Sequence, residues 1–173
     1  MAIEENQIKM GIDLILLFRL LEKQTEEDAK ILLCQTEHNL GKTRENEQIK
    51  TKTGNVNITK PIEYDFSVTT LVSKGDKAVA DLEEAFDKKK TLEVWEVDRS
   101  EKNETGKYKA EYFQVEVTEF TKNPNSEDQL ELEVTFAVNQ EGQKDFATLT
   151  KEQEDVIQYA FEDTVKKTTG GGE

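Results

Sequence analysis

Cysteine and histidine are the side chains best suited to nucleophilic catalysis, and this sequence contains one of each, Cys34 and His38. A thiol nucleophile needs a base beside it, and a spacing of four residues could bring an imidazole close to the thiol. Cys34, however, ends the apolar run 29–34, which is typical of a β-strand, where a lone cysteine is usually a small buried side chain. We therefore interpret Cys34 as part of the core and place His38 in a loop.

Carboxylates are the other groups that could do chemistry, and the chain has 37 Asp and Glu against 23 Lys and Arg. Clusters such as 26–28 and 152–155 arise readily in so acidic a sequence, and a solvated surface explains them. The sequence contains no glycine-rich phosphate loop, no CxxC pair and no HExxH motif. It predicts no catalytic site, no metal site and no cofactor.

The net charge of -14 limits the partners of this protein. Such a surface repels nucleic acid and anionic membranes, so binding through phosphate contacts is not expected. The N-terminus lacks the basic and apolar segments of a signal peptide, and the most apolar run, 12–21, is too short and too charged to cross a bilayer. We expect a protein that is made and kept in a cytoplasm-like compartment.

Alternating apolar and polar residues dominate the chain and predict strands. The period of two is clearest in 63–69 and 130–138, and a turn signal around Pro124 predicts an antiparallel hairpin of 108–121 with 129–139. Strands are also predicted at 12–20 and 92–97, although a leucine-rich helix remains the alternative for 12–20.

Two helices complete the predicted elements. Residues 76–90 carry Val79, Leu82 and Phe86 at helical spacing, and a second, short helix begins at Thr150 with a capping-box pattern. Strands on both sides of one helix, joined by hairpins, predict an α+β fold that is mainly antiparallel β. The expected architecture is a β-sandwich or open barrel with one flanking helix and a short C-terminal helix.

The predicted strands have a common peculiarity, which is that their polar faces carry carboxylates. Like charges on neighbouring strands repel one another, so this pattern needs a reason. Ordinary solubility is one interpretation, and a surface that keeps polyanions from sticking is the other. The residues concerned are Glu63, Asp65, Glu116, Glu131 and Glu133.

Residues 42–60 reverse the sign of the charge. Five bases stand against Glu45 and Glu47 in this stretch, which gives a net charge of +3. The segment is polar, has few core residues and is predicted to be an extended loop or arm. A basic arm on an acidic body suggests head-to-tail contact with a second copy of the chain. The bases are Lys42, Arg44, Lys50, Lys52 and Lys60.

Short segments spread in order along the chain resemble the major tail protein family of long, non-contractile phage tails, in its lactococcal-phage type. The resemblance rests on the order and spacing of these segments, because no single one of them is specific, and it runs from about residue 10 to residue 165. The segments are Gly11–Arg19, Gln35–His38, Lys74–Asp76, Val94–Asp98 and Gln158–Phe161.

This resemblance implies a structural protein of a siphovirus virion and no catalytic residues. Family members are tail-tube proteins that form hexameric rings, and the rings stack into a tube through which phage DNA passes during ejection. The implied partners are other copies of the chain, the tape-measure protein and genomic DNA inside the tube, and other tail proteins at its ends. The protein would stay in the host cytoplasm until it enters the virion.

The resemblance also implies a division of the chain. Residues 1–10 would form an N-terminal arm, 11–165 the tail-tube domain with its extended 42–60 arm, and 166–173 a flexible tail. The five strand carboxylates would line the lumen, while residues 1–10 and the arm, with Lys42, Arg44, Lys50 and Lys52, would contact the adjacent ring. A one-residue error in strand register would move every lumen residue to the opposite face.

Two other functions stay open from sequence alone. An acidic inhibitor that mimics DNA also uses ordered carboxylates, but it would act as a monomer or dimer. A tube subunit of a bacterial secretion machine would share the fold. Rings or tubes of the purified protein, as opposed to a small species in solution, would separate the tube-forming functions from the inhibitor.

Overall fold

The computed structural model describes residues 8–157, which form seven strands and two α-helices, together with short 3-10 turns at Gly11–Asp13 and Leu21–Lys23. The strands are β1 (Leu14–Leu20), β2 (Lys30–Ile31), β3 (Gln35–Thr51), β4 (Gly54–Leu71), β5 (Leu92–Lys102), β6 (Tyr108–Asn123) and β7 (Glu131–Ala147). The helices are α1 (Lys77–Asp87) and α2 (Lys151–Ile157).

The strands form one antiparallel sheet in the order β2-β1-β5-β6-β7-β4-β3. The sheet curls until its two ends approach each other. His38 of β3 lies 2.7 Å from the Glu96 carboxylate of β5, and the Leu16 amide of β1 donates to the Gln35 side chain at 3.2 Å. No strand pairing closes this gap within residues 8–157, so the sheet is an open barrel with an inner and an outer face. The predicted fold class is confirmed.

The inner face holds the main core. Because alternate residues of a strand point to the same side, one set of side chains from β1 and β4–β7 fills the interior. Phe66 lies at the centre, with its ring 5.4 Å from Phe113 and 5.2 Å from Phe136. The predicted hairpin of β6 and β7 forms, and its register places Val115 opposite Val138. The predicted strand at 12–20 forms as β1 rather than as a helix.

Helix α1 covers part of this core. Its N-cap Asp76 accepts hydrogen bonds from the Ala78 and Val79 amides, so two of the free amides of the first turn are satisfied. Val79 and Leu82 are buried as predicted, whereas Phe86 is 41% exposed and stacks on Phe120 at the edge of the helix. The capping box predicted at Thr150 also forms. The Thr150 hydroxyl accepts from the Gln153 amide, and the Gln153 side chain accepts from the Thr150 amide.

The 42–60 arm is a two-stranded ribbon, and the prediction of a loop was wrong in this respect. From Asn46–Thr59 to Thr51–Gly54, β3 and β4 pair only with each other, and Gly54 takes a positive φ of 143° at the tip. The ribbon forms because apolar residues face each other across it, with Ile49 directly opposite Val56. A bulge near Arg44 separates the ribbon from the barrel.

The interpretation of Cys34 was also wrong. The predicted strand 29–34 contracts to β2 (Lys30–Ile31), and the chain turns at Leu33 and Cys34 to enter β3. Turn residues are exposed, and the Cys34 side chain is accordingly exposed. His38 lies in β3 rather than in a loop, and its imidazole contacts Gln35 and Glu96 instead of Cys34.

The predicted N-terminal arm and C-terminal tail lie mostly outside the described residues. Residues 8–10 precede the first turn, and Lys9 pairs with Asp98 of β5 at 2.6 Å. Within residues 8–157, no helix has the length and apolar character that crossing a membrane requires.

Candidate assembly and channel surfaces

All five predicted lumen residues lie on one face of the barrel. Residues paired across antiparallel strands share a face, and the register puts Glu63 and Asp65 of β4, Glu116 of β6, and Glu131 and Glu133 of β7 on the outer side. Glu63, Asp65 and Glu133 are exposed, and Glu116 and Glu131 are half-buried. We call the outer side of β3, β4, β7 and residues 116–123 of β6 the acidic face.

Two further carboxylates belong to the acidic face and were not predicted. Glu37 of β3 lies opposite Thr69, and Glu119 of β6 lies opposite Thr135. Strict alternation from Val117 would turn Glu119 inward, but a bulge at Thr118 restores it to the outer face. Two polar residues in a row between apolar Val117 and Phe120 were the signal that could have revealed this bulge.

Neutral residues lie between the carboxylates of the acidic face. They reduce the repulsion between like charges that the sequence led us to expect. In the strand registers Glu133 lies between Thr121 and Thr69, and Glu131 lies between Asn123 and Leu71. Glu116 faces Ala137 and Asp65 faces Gly41 in the same way. Carboxylates that never stand directly opposite one another repel less, so the acidic face carries a dense negative charge without directly opposed acids.

The acidic face holds no cation. The outward positions of its strands within the barrel contain no Lys, Arg or His, and none of the seven carboxylates named above takes part in an ion pair with residues 8–157. Glu45, farther along β3 at the start of the ribbon, pairs with Lys60 at 2.8 Å. The partners of the seven carboxylates are neutral donors instead. Glu116 accepts from the Thr91 hydroxyl at 2.7 Å, and Asp65 accepts from the Asn39 amide at 3.2 Å. The face therefore presents uncompensated negative charge to the space in front of it.

The other half of the outer face is apolar and covered. Leu17, Val97 and Ala110 of β1, β5 and β6 are buried there beneath Leu149 and the segment around Ala29. The Gln153 side chain donates to the Ala29 carbonyl at 2.6 Å, which ties the start of α2 to this segment. We call this region the covered half.

Arg19 marks the boundary of the covered half. Its Nε donates to the Glu93 carboxylate at 2.6 Å, and its guanidinium carbon stands 5.0 Å from the centre of the Trp95 ring. Tyr112 donates to the same carboxylate at 2.7 Å, and burial raises the pKa of Tyr112. Trp95 is partly buried and packs against the apolar cluster of the covered half.

The four bases predicted to make ring-to-ring contacts fall into two pairs. Lys42 pairs with Glu111 at 2.6 Å, and Arg44 lies 3.5 Å from Glu141 and donates to the Lys60 carbonyl at 3.2 Å. These two cations hold the base of the ribbon to the barrel. Lys50 and Lys52 stand exposed at the tip, with no ion pair to any residue of 8–157.

Among residues 8–157, no group of three or more Asp, Glu, His and Cys side chains is placed to hold a metal ion. The features that distinguish this molecule are surfaces: an anionic barrel face, a projecting ribbon and an open seam between β1 and β3. They are features of an open β-barrel with one covered and one uncovered half, and solved structures share this fold. The SPP1 tail tube matches with a TM-score of 0.73 at 20% identity, over 95% of both chains. A gene transfer agent tail matches with a TM-score of 0.58 at 11% identity, over 82% of this chain and all of that one.

The chain belongs to the phage tail tube protein family, whose model matches residues 9–144. A relative named "Putative tail protein" from Staphylococcus phage phiMR25 is 29% identical over 172 residues, which is 96% of this chain and 88% of that protein. The protein is thus a structural component of a phage tail tube, and the recognition made from the sequence is confirmed. Neither an inhibitor that mimics DNA nor a secretion-system subunit is favoured.

Proposed function

We propose that six copies of this chain close into a ring, that rings stack into the tail tube, and that the acidic face lines the lumen. The tail of the empty gene transfer agent particle, whose subunit has this fold, has C6 symmetry. A heterologous interface that closes after six steps gives a ring, and repetition along the axis gives a tube.

The observation that carries this proposal is the uncovered acidic face with no cation. DNA binds proteins largely through contacts of Lys and Arg with its phosphates. A wall of carboxylates offers none of these contacts, so a duplex can pass without sticking. In this proposal Glu63, Asp65, Glu116, Glu131 and Glu133 line the lumen together with Glu37 and Glu119.

The ribbon supplies the contact between rings. From Asn46 to Thr51 it projects roughly 17 Å at 3.3 Å per residue, with Lys50 and Lys52 at its exposed end. Residues 1–10 join it at the adjacent ring. Deletion of 44–56 should leave folded subunits that fail to stack, and long tubes from this variant would exclude the ribbon as the connector.

The proposal includes partners and a location. The tape-measure protein and genomic DNA would occupy the lumen without sequence-specific contacts, and other tail proteins would cap the tube. The subunit would stay in the host cytoplasm until assembly and would have no enzymatic activity. The domain bounds of 1–10, 11–165 and 166–173 belong to this proposal.

Electron microscopy of the purified protein is the first test. Rings or tubes with six-fold symmetry are expected, and tubes should lengthen with protein concentration. A species that stays monomeric or dimeric at all concentrations, with no virion fraction containing the chain, would overturn the proposal.

The lumen assignment has its own test in E131K/E133K. Both positions face outward from the sheet, so tubes should still form, while the new cations should bind phosphates and impede DNA ejection. D87K/E104K is the matched control, because it makes the same change of charge at two exposed acids away from the acidic face. Unaltered infectivity of the E131K/E133K phage would place these residues outside the lumen.

A further inference from the structure

The seam between β1 and β3, where the barrel stays open, forms a groove on the surface that is lined by both apolar and polar residues. Its lining includes Ile12, Ile15 and Leu33 together with the charged side chains of Glu37 and Arg99. Ile12 is 73% exposed and Leu33 is 47% exposed, although both are large apolar side chains. We call this feature the seam groove.

The ribbon carries a matching apolar face. Ile49 lies directly opposite Val56, and Ile58 lies two residues from Val56 on the same side of the ribbon. All three are 42–50% exposed. The opposite side carries polar residues such as Asn57. A two-stranded ribbon is marginal in water, so an apolar face without a cover is a surface that needs a partner.

We propose that the apolar face of one copy's ribbon docks in the seam groove of a second copy. The inference rests on the proposed function and adds to it the receiving site and its chemistry. Ring stacking would then depend on apolar contacts of Ile49, Val56 and Ile58 with Ile12 and Leu33, and not on the basic charge of the arm alone.

Geometry excludes the groove of the same chain. Strand β3 begins beside the groove, at residues 35–38, and ends at the ribbon tip at Thr51. It is paired with β4 along this whole length. From His38 to Ile49 this is roughly 35 Å at about 3.3 Å per residue. The groove and the apolar face thus lie at opposite ends of one strand. Head-to-tail docking along that strand direction is heterologous and open-ended, as stacking requires.

Charge complementarity also favours the ribbon of a second copy as the occupant of the groove. Glu47 shares the apolar side of the ribbon with Ile58, and the positively charged Arg99 lines the groove, where its guanidinium donates to the Ile12 carbonyl. In the docked arrangement the acid of the ribbon meets the base of the groove.

Disulfide cross-linking tests the contact. In a C34S background, which removes the exposed native thiol, L33C/V56C should give a ladder of covalent multimers on mild oxidation of assembled tubes, because each copy can link to the next. C34S/L33C/N57C is the matched control, since Asn57 is on the opposite side of the ribbon, and it should give no ladder. Tubes that form without the L33C/V56C ladder, or an equal ladder from the control, would overturn the inference and leave the proposed function standing. Absence of rings and tubes would overturn the proposed function itself.

A second pair of variants gives an independent readout. V56D should abolish sedimenting tubes while the subunit stays folded, because it buries a charge in the apolar contact. N57D adds the same charge on the opposite side and should leave tube formation unchanged. Adding L33K to V56D should restore tubes by pairing the new acid. Equal loss in V56D and N57D, or normal tubes from V56D, would contradict the docking site.

Discussion

The outer face of the barrel has two halves built from the same alternating strands, yet they differ in almost every other respect. The covered half buries Leu17 and Val97 beneath the segments around Ala29 and Leu149. The acidic face leaves Glu63, Asp65 and Glu133 in solvent, with no element packed over them in residues 8–157. One half of the face contributes to the folding of the subunit, and the other is left uncovered and is the half that we propose lines the channel.

The contrast explains why charge is distributed as it is. Where the outer face is covered, its charged residues are paired, as Arg19 is with Glu93. Where it is uncovered, carboxylates stand without cations and are separated by neutral residues. A sheet can therefore carry many like charges at little cost when solvent screens them and no two are directly opposed.

The largest effect on stability is expected at the boundary of the two halves. R19M would leave Glu93, which is 2% exposed, without its cation. Removing one partner of a buried ion pair costs about 3–5 kcal/mol, and replacing both partners by apolar residues is close to neutral. Urea denaturation of R19M should show this loss, and R19M/E93M should recover most of it. A loss of under about 1 kcal/mol in R19M would mean that the boundary pair is solvated.

The next largest effect on stability is expected from a direct comparison of the covered half with the acidic face. L17A removes a side chain that is 3% exposed in the covered half and should lower the free energy of unfolding by about 2–4 kcal/mol. E133A, on the acidic face, should change it by no more than about 0.5 kcal/mol. Equal losses in the same denaturation measurement would show that something packs on the acidic face of the free subunit.

The alternating patterns of the strands were sufficient to predict most of the fold and the grouping of the acids. Side-chain period is two, so Glu131 and Glu133 share a face with each other wherever their strand lies, and apolar Leu132 and Val134 decide which face is inside. The prediction that the five carboxylates lie together followed from this local rule. Whether they line a lumen is a property of the assembled ring, which one chain's sequence pattern does not encode.

The features that sequence missed depend on contacts between distant segments. The 42–60 ribbon has too few apolar residues to be predicted as strands until Ile49 and Val56 are seen to face each other. Cys34 is exposed because β2 ends early, at Ile31, and the chain must turn to enter β3. The seam groove exists only because the curled sheet brings the start of β3 back to β1. None of these follows from periodicity within one segment.

The smallest effect on stability is expected when a carboxylate with a cation partner is compared with one that has none. Glu84 of α1 accepts from Lys90 and Lys88, and these hydrogen bonds lower its pKa from 4.5 to about 2. Because the pKa is lower in the folded state, the stabilisation is fully present above pH 4.5 and is lost as the pH falls towards 2. E84Q should therefore melt at a lower temperature than the unmodified protein at pH 7, and this difference should shrink at pH 2.5. E133Q removes an acid that has no cation partner among the described residues, so it should not lower the melting temperature at pH 7. An E84Q deficit that stays constant between pH 7 and pH 2.5 would show that Glu84 stabilises the helix by packing rather than by charge, and the contrast between paired and unpaired acids would then lose its electrostatic basis.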